Sequence, residues 1–111
     1  MRTTPEASRD SLVRRLIDRV LGSAGVLDPA LRQSAYADGP LPAPLSRFVH
    51  QVHHHAYRVS DEDIAALRAA GYSDDQIFEA TICAAVGAGV ARRERVKALL
   101  QGGALRCAWP G

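Results

Sequence analysis

The chain has 111 residues, 47% of them hydrophobic and 23% charged, with a formal net charge of +2; these values suit one small packed domain. Fourteen basic groups against 12 acidic ones leave a small, scattered positive surplus, which makes nucleic acid an unfavoured partner. No stretch approaches the roughly 20 continuous apolar residues of a membrane span, and Cys83 and Cys107 form neither a CxxC nor a paired CxxC, so a reduced cytoplasmic protein without a membrane partner is expected.

Aromatic residues make up only 5% of the chain, so the core must come from Leu, Val, Ile and many alanines. Such small side chains suit closely packed helices, and a domain of this size with a thin core is often completed by an oligomer interface. Residues 1–8 read as a flexible N-terminus, 9–101 as a single helical domain and 102–111 as an irregular tail in which Trp109 is a candidate to dock on the body or on a neighbouring subunit.

RDSLVRRLIDRVLG, residues 9–22, predicts an amphipathic helix with Leu12, Val13, Leu16, Ile17, Val20 and Leu21 at helical spacing. A short helix follows over 28–39, capped by Asp28 with Pro29 at its first position. Three prolines make GPLPAP, residues 39–44, a rigid connector, and a third helix is expected over 44–57. Ser60-Asp61-Glu62-Asp63 and Ser73-Asp74-Asp75-Gln76 then open two more helices by the same device, a hydroxyl followed three residues on by a side chain that can reach back. The first should stop at Gly71 with Tyr72 over the turn; the second should run from about 74 to 100, with Ile77, Phe78, Ile82, Val86, Val90, Val96 and Leu99 inside. Small residues at 84–89, with Gly87 and Gly89 in mid-helix, suggest a close helix–helix approach or a bend. No strand-period pattern competes, so the class is all-α, with about five helices and a long C-terminal one.

The segment DEDIAALRAAGYSDDQIFEATICAAVGAGVARRERVKAL, residues 61–99, resembles the alkyl hydroperoxide reductase D-like and carboxymuconolactone decarboxylase-like superfamily. RFVHQVHHHAYRVSDED and GVLDPALRQSAYADG fit a single-domain branch of that group. The resemblance implies a compact helical fold assembled as a trimer or hexamer. Its redox-active members carry a CxxC followed by a His just before the AAG turn, where the second thiol resolves the first. Counting back from Gly71, the His position falls on Asp63 and the two Cys positions on Val59 and Ala56. All three signature groups are therefore replaced, and a thiol peroxidase is not expected.

All four histidines, His50, His53, His54 and His55, lie within six residues. On a helix whose apolar stripe is Leu45, Phe48, Val49, Val52 and Ala56, His50, His54 and Tyr57 fall on the far side and His55 on a flank. His50 and His54 form an i,i+4 pair of the kind that can bind a metal, but a site needs a third ligand; a wet or interface face is the plainer reading, with no metal and no cofactor expected. His55, beside the replaced Cys position at Ala56, is best placed for a residual pocket, and its ordinary pKa suits proton transfer near neutrality. Tyr57, Asp63 and Glu79 complete the candidate polar lining for a small-molecule ligand; helix-start roles account for Asp61 and Glu62, and Glu79 also reads as a helix-start acid or the partner of a neighbouring Arg. Cys83 reads as an inert buried thiol, and Arg92, Arg93 and Arg95 as a solvated or intersubunit face. The alternative is a non-catalytic helical scaffold or binding module, since residues 61–80 resemble helix-turn-helix and ubiquitin-associated units; a DNA-reading helix, however, would be polar where this one is rich in small apolar residues.

Overall fold

The computed structural model describes residues 5–22 and 25–102; Cys107 and Trp109 lie outside them. Among the described residues there are five α-helices, one 3-10 turn and no strand: α1 (Pro5–Gly22), α2 (Pro29–Ala37), α3 (Leu45–His55), a 3-10 turn (Ala56–Arg58), α4 (Asp61–Ala69) and α5 (Asp74–Gln101). The helical class and the long last helix agree with the sequence reading. Helix α1 begins at Pro5, four residues earlier than the periodicity marks. The helix expected over 44–57 is divided instead, because the backbone leaves α-helical geometry at His55 (φ −147, ψ 55) and tightens into the 3-10 turn.

The helix ends follow the local chemistry. Asp28 accepts a hydrogen bond from Ala30 N at 2.8 Å and caps α2. Ser73 Oγ accepts from Gln76 N at 3.1 Å while Gln76 Oε1 accepts from Ser73 N at 2.9 Å, a reciprocal capping box at the start of α5. At the end of α4, Gly71 has φ +99. Gly71 N donates to Arg68 O at 3.0 Å and Tyr72 N to Leu67 O at 3.2 Å, the paired bonds of a Schellman turn.

The core is held by α2, α3 and α5. Leu27, Leu45, Val49 and Leu67 are essentially fully buried, and each contributes roughly 1.5–3 kcal/mol by leaving water. The face that α5 buries differs from the expected stripe. Ile77 is inside, but its companions are Ala80, Cys83, Ala84, Gly87 and Ala88, whereas Phe78, Ile82, Val96 and Leu99 are exposed. The reason is the closeness of α2. A Cβ on Gly87 would overlap the Tyr36 carbonyl oxygen and lie 2.7 Å from the Tyr36 carbonyl carbon, so only a row of small residues can face α2, and the bulky ones turn outward. Gly89, two residues on, has open space instead.

Past Ala88, α5 has no buried residue among those described. Its C-terminal part is joined to α1 by ion pairs from Arg93 and Lys97 to Asp10, at 2.6 and 2.9 Å. Helix α1 turns Val13, Ile17, Val20 and Leu21 inward only partly, and Leu12 and Leu16 remain exposed. Around the packed core these projecting helices give dimensions of 56 × 37 × 20 Å and a radius of gyration of 17.1 Å, against about 13 Å for a close-packed monomer of this length. None of the described helices is long and apolar enough to cross a membrane.

Candidate functional site

Helix α3 separates its histidines by function. His53 is buried, and its Nε2 lies 2.8 Å from Ala35 O on α2. The His53 carbonyl in turn accepts a hydrogen bond from Arg92 Nη2 of α5 at 2.9 Å. This histidine is a core tie that joins three helices. His50 and His54 lie one turn apart on the exposed side, with ring centroids 4.3 Å apart.

Asp38 faces that pair. It ends α2 in the left-handed region (φ 55, ψ 39), a conformation that Asp tolerates better than most residues. Its Oδ2 lies 3.1 Å from His50 Nδ1 and 2.9 Å from His54 Nε2. Partial burial works to raise the Asp38 pKa, but the hydrogen bonds from His54 and His50 outweigh it and hold the carboxyl below its ordinary value. Asp38, His50 and His54 form a group in which one ligating atom from each lies within 4.8 Å of the others. The i,i+4 pair thus has the third donor that its own helix lacks. The only hint of it in the sequence is an Asp-Gly at the end of a short helix, which reads first as a turn.

The same corner opens into a polar cleft of about 810 Å³, lined among others by Asp38, Arg47, His50, Gln51, His55, Arg58, Ser60, Glu62 and Asp63. His55 and Asp63 therefore share one cleft. The break at His55 between α3 and the 3-10 turn accompanies its position on that wall. Asp63 Oδ2 accepts from Ser60 N at 2.9 Å, Ser60 Oγ at 3.2 Å and Gln51 Nε2 at 3.3 Å. The backbone bond from Ser60 is the largest of the effects that lower its pKa; partial burial opposes it, and the Ser60 hydroxyl, Arg47 and Gln51 add to the lowering. Asp63 is thus an ionised cap and hydrogen-bond acceptor at neutral pH, poorly suited to donate a proton.

Two other sequence candidates lie away from this cleft. Tyr57 is 79% exposed and does not line the cleft; it touches two residues that do, with the Arg58 guanidinium 5.6 Å from its ring centroid and His55 edge-on at 6.0 Å between centroids. Glu79 spans 52 residues to accept from Leu27 N at 2.6 Å and also accepts from Val26 N. Its carboxylate fastens the loop before α2, a structural task. On that side an apolar cavity of about 250 Å³ is lined by Leu16, Val20, Ile82, Cys83, Arg32, Arg19 and Glu79. Cys83 is buried; burial pushes its thiol pKa up, with the nearby Arg32 charge opposing, the opposite of a reactive thiolate.

No family model, curated protein or solved structure matches this chain.

Proposed function

We propose that the chain is a divergent relative of the alkyl hydroperoxide reductase D-like group that works without a thiol pair and binds a small polar molecule in the cleft between α3 and α4. One observation carries this reading: His55 and Asp63 line the same cleft, while Cys83 is buried in the apolar cavity on another side. His55 supplies an imidazole on the cleft wall as the acid-base group. Asp63, kept anionic by Ser60 and Gln51, orients a donor on the ligand. Arg47 and Arg58 favour a ligand that carries an anionic group. A fragment screen of small carboxylic acids read by ¹H–¹⁵N NMR tests this. Shifts should cluster at Arg47, Gln51, His55, Arg58 and Ser60 and vanish in His55→Ala; shifts confined to Leu16, Val20 and Ile82 would reject the cleft.

A second reading, an oligomeric helical scaffold, is favoured by a separate observation. Leu12, Leu16, Phe78, Ile82, Val96 and Leu100 are all exposed, more large apolar surface than a chain with so slender an outline readily leaves in water. A trimer or hexamer would cover it. Light scattering after gel filtration should give three or six times 11.9 kDa; a single species at the monomer mass at every concentration would end this reading.

A further inference from the structure

We propose that Asp38 Oδ2, His50 Nδ1 and His54 Nε2 bind one divalent transition-metal ion, of the zinc, cobalt or nickel type, at the edge of the polar cleft. This proposal stands apart from the organic ligand of the cleft, and either can fail alone.

The geometry is close to that of a loaded site. The two nitrogens lie 3.1 and 2.9 Å from the shared carboxylate oxygen. Ligands bonded at about 2.05 Å to a tetrahedral ion are separated by about 3.3 Å. On these two edges the ion needs only to replace the hydrogen-bonded protons and open the spacing by a few tenths of an ångström, and the two nitrogens lie within 4.8 Å of each other. Two imidazoles with one carboxylate suit zinc, cobalt or nickel, whereas calcium and magnesium favour oxygen donors alone. The donors already sit together because the scaffold holds them there. His53 Nε2 pins α3 to Ala35 O, three residues before Asp38, and Gly87 of α5 takes the Tyr36 backbone against itself two residues before Asp38. The left-handed turn at Asp38 then aims its carboxylate at one turn of α3. Such support from a buried shell is what separates a preorganised ligand set from a chance meeting of surface side chains.

The site is also accessible. The His50 and His54 side chains are 64% and 52% exposed and that of Asp38 is 23% exposed. Three protein ligands leave a fourth position for water or for a ligand, as in catalytic rather than structural zinc sites. Asp38 and His50 both line the cleft, so this open position adjoins the space that His55 and Asp63 share.

Cobalt(II) chloride and zinc chloride titrated into tag-free full-length protein test the site by calorimetry and, for cobalt, by visible absorption. One ion per chain should bind, with absorption bands of a nitrogen- and oxygen-ligated cobalt. Asp38→Asn, His50→Ala and His54→Ala should each weaken binding by at least roughly tenfold, while His55→Ala leaves it unchanged. Far-UV circular dichroism of each variant separates ligand loss from unfolding, and in the folded variants the imidazole NMR signals of the remaining histidines report the ion directly. No binding at millimolar metal, equal weakening by His55→Ala, undiminished binding by Asp38→Asn, or one ion per two or three chains would overturn the proposal. A protein that takes carboxylic acids in the cleft but no metal would overturn the metal site and leave the small-molecule reading intact.

Discussion

Gly87→Ala and Gly89→Ala, two residues apart on α5, should change stability in opposite directions. Alanine is the better helix former by about 1 kcal/mol at either position. At Gly89 nothing stands within 4 Å of the added carbon, so most of that gain should appear, about 0.5–1 kcal/mol. At Gly87 the added carbon meets the Tyr36 carbonyl oxygen and carbon and lies 3.1 Å from Tyr36 Cα. A backbone cannot swing aside as a flexible side chain can, so α2 and α5 must separate. Overpacking typically costs roughly 1–3 kcal/mol, and an overlap with backbone atoms belongs at the top of that range, leaving a net loss of about 2 kcal/mol after the helix gain. The two variants should therefore differ by about 3 kcal/mol, or 10 °C or more in Tm at roughly 4–8 °C per kcal/mol. Thermal and urea unfolding followed by circular dichroism reads this difference. Equal stabilisation by both substitutions would refute the close approach of α2 to α5, and with it the placement of Asp38 beside His50 and His54.

Glu79→Ala should lower stability by about 1–2 kcal/mol, because Val26 N and Leu27 N lose their shared carboxylate, while small-acid shifts at His55 and Arg58 persist; loss of those shifts with the fold intact would assign Glu79 to ligand binding. In a Cys107→Ser background, Ellman's reagent should react with Cys83 only as fast as the protein unfolds, since the thiol is buried and its pKa is raised; fast labelling of the native state would contradict its burial. Acid should also destabilise the fold with a definite sign. Asp63, held by Ser60, Gln51 and Arg47, and Asp10, held by Arg93 and Lys97, both have lowered pKa values. Their contribution is present above the ordinary carboxylate pKa of about 3.9 and is lost as pH falls through their lower folded values. Chemical-denaturation midpoints should therefore fall below about pH 4, and less steeply in a double Asp10→Asn, Asp63→Asn variant; an unchanged slope would remove both carboxylates from the account.

What could be read from the sequence was local. Capping residues, the Gly71 stop and helical periodicity place all five helices, because each depends on neighbours within four positions. The inner face of α5 was misread because residue size, rather than hydrophobicity alone, decides which face can meet α2. Phe78 and Ile82 are more apolar than Ala80 and Gly87, yet only the small residues fit there. The candidate site divided in the same way. His55 and Asp63 were reached by position and share a cleft, whereas Tyr57 and Glu79 were reached the same way and face elsewhere. Asp38 was missed because it lies 12 positions before His50 across a connector with three prolines, Pro40, Pro42 and Pro44, and sequence spacing does not say where such a connector returns. Helical position put His50 and His54 on the far side of the apolar stripe, where they are exposed, but gave no sign that His53 is the buried tie.

The metal site at the corner where α2 and α3 converge is tested most directly by a crystal structure of the tag-free protein grown with zinc or cobalt, using anomalous scattering. The expected result is a single peak at about 2.0–2.2 Å from Asp38 Oδ2, His50 Nδ1 and His54 Nε2, facing the cleft that holds His55. An anomalous map with no peak there, and the Asp38–histidine hydrogen bonds undisturbed, would contradict it.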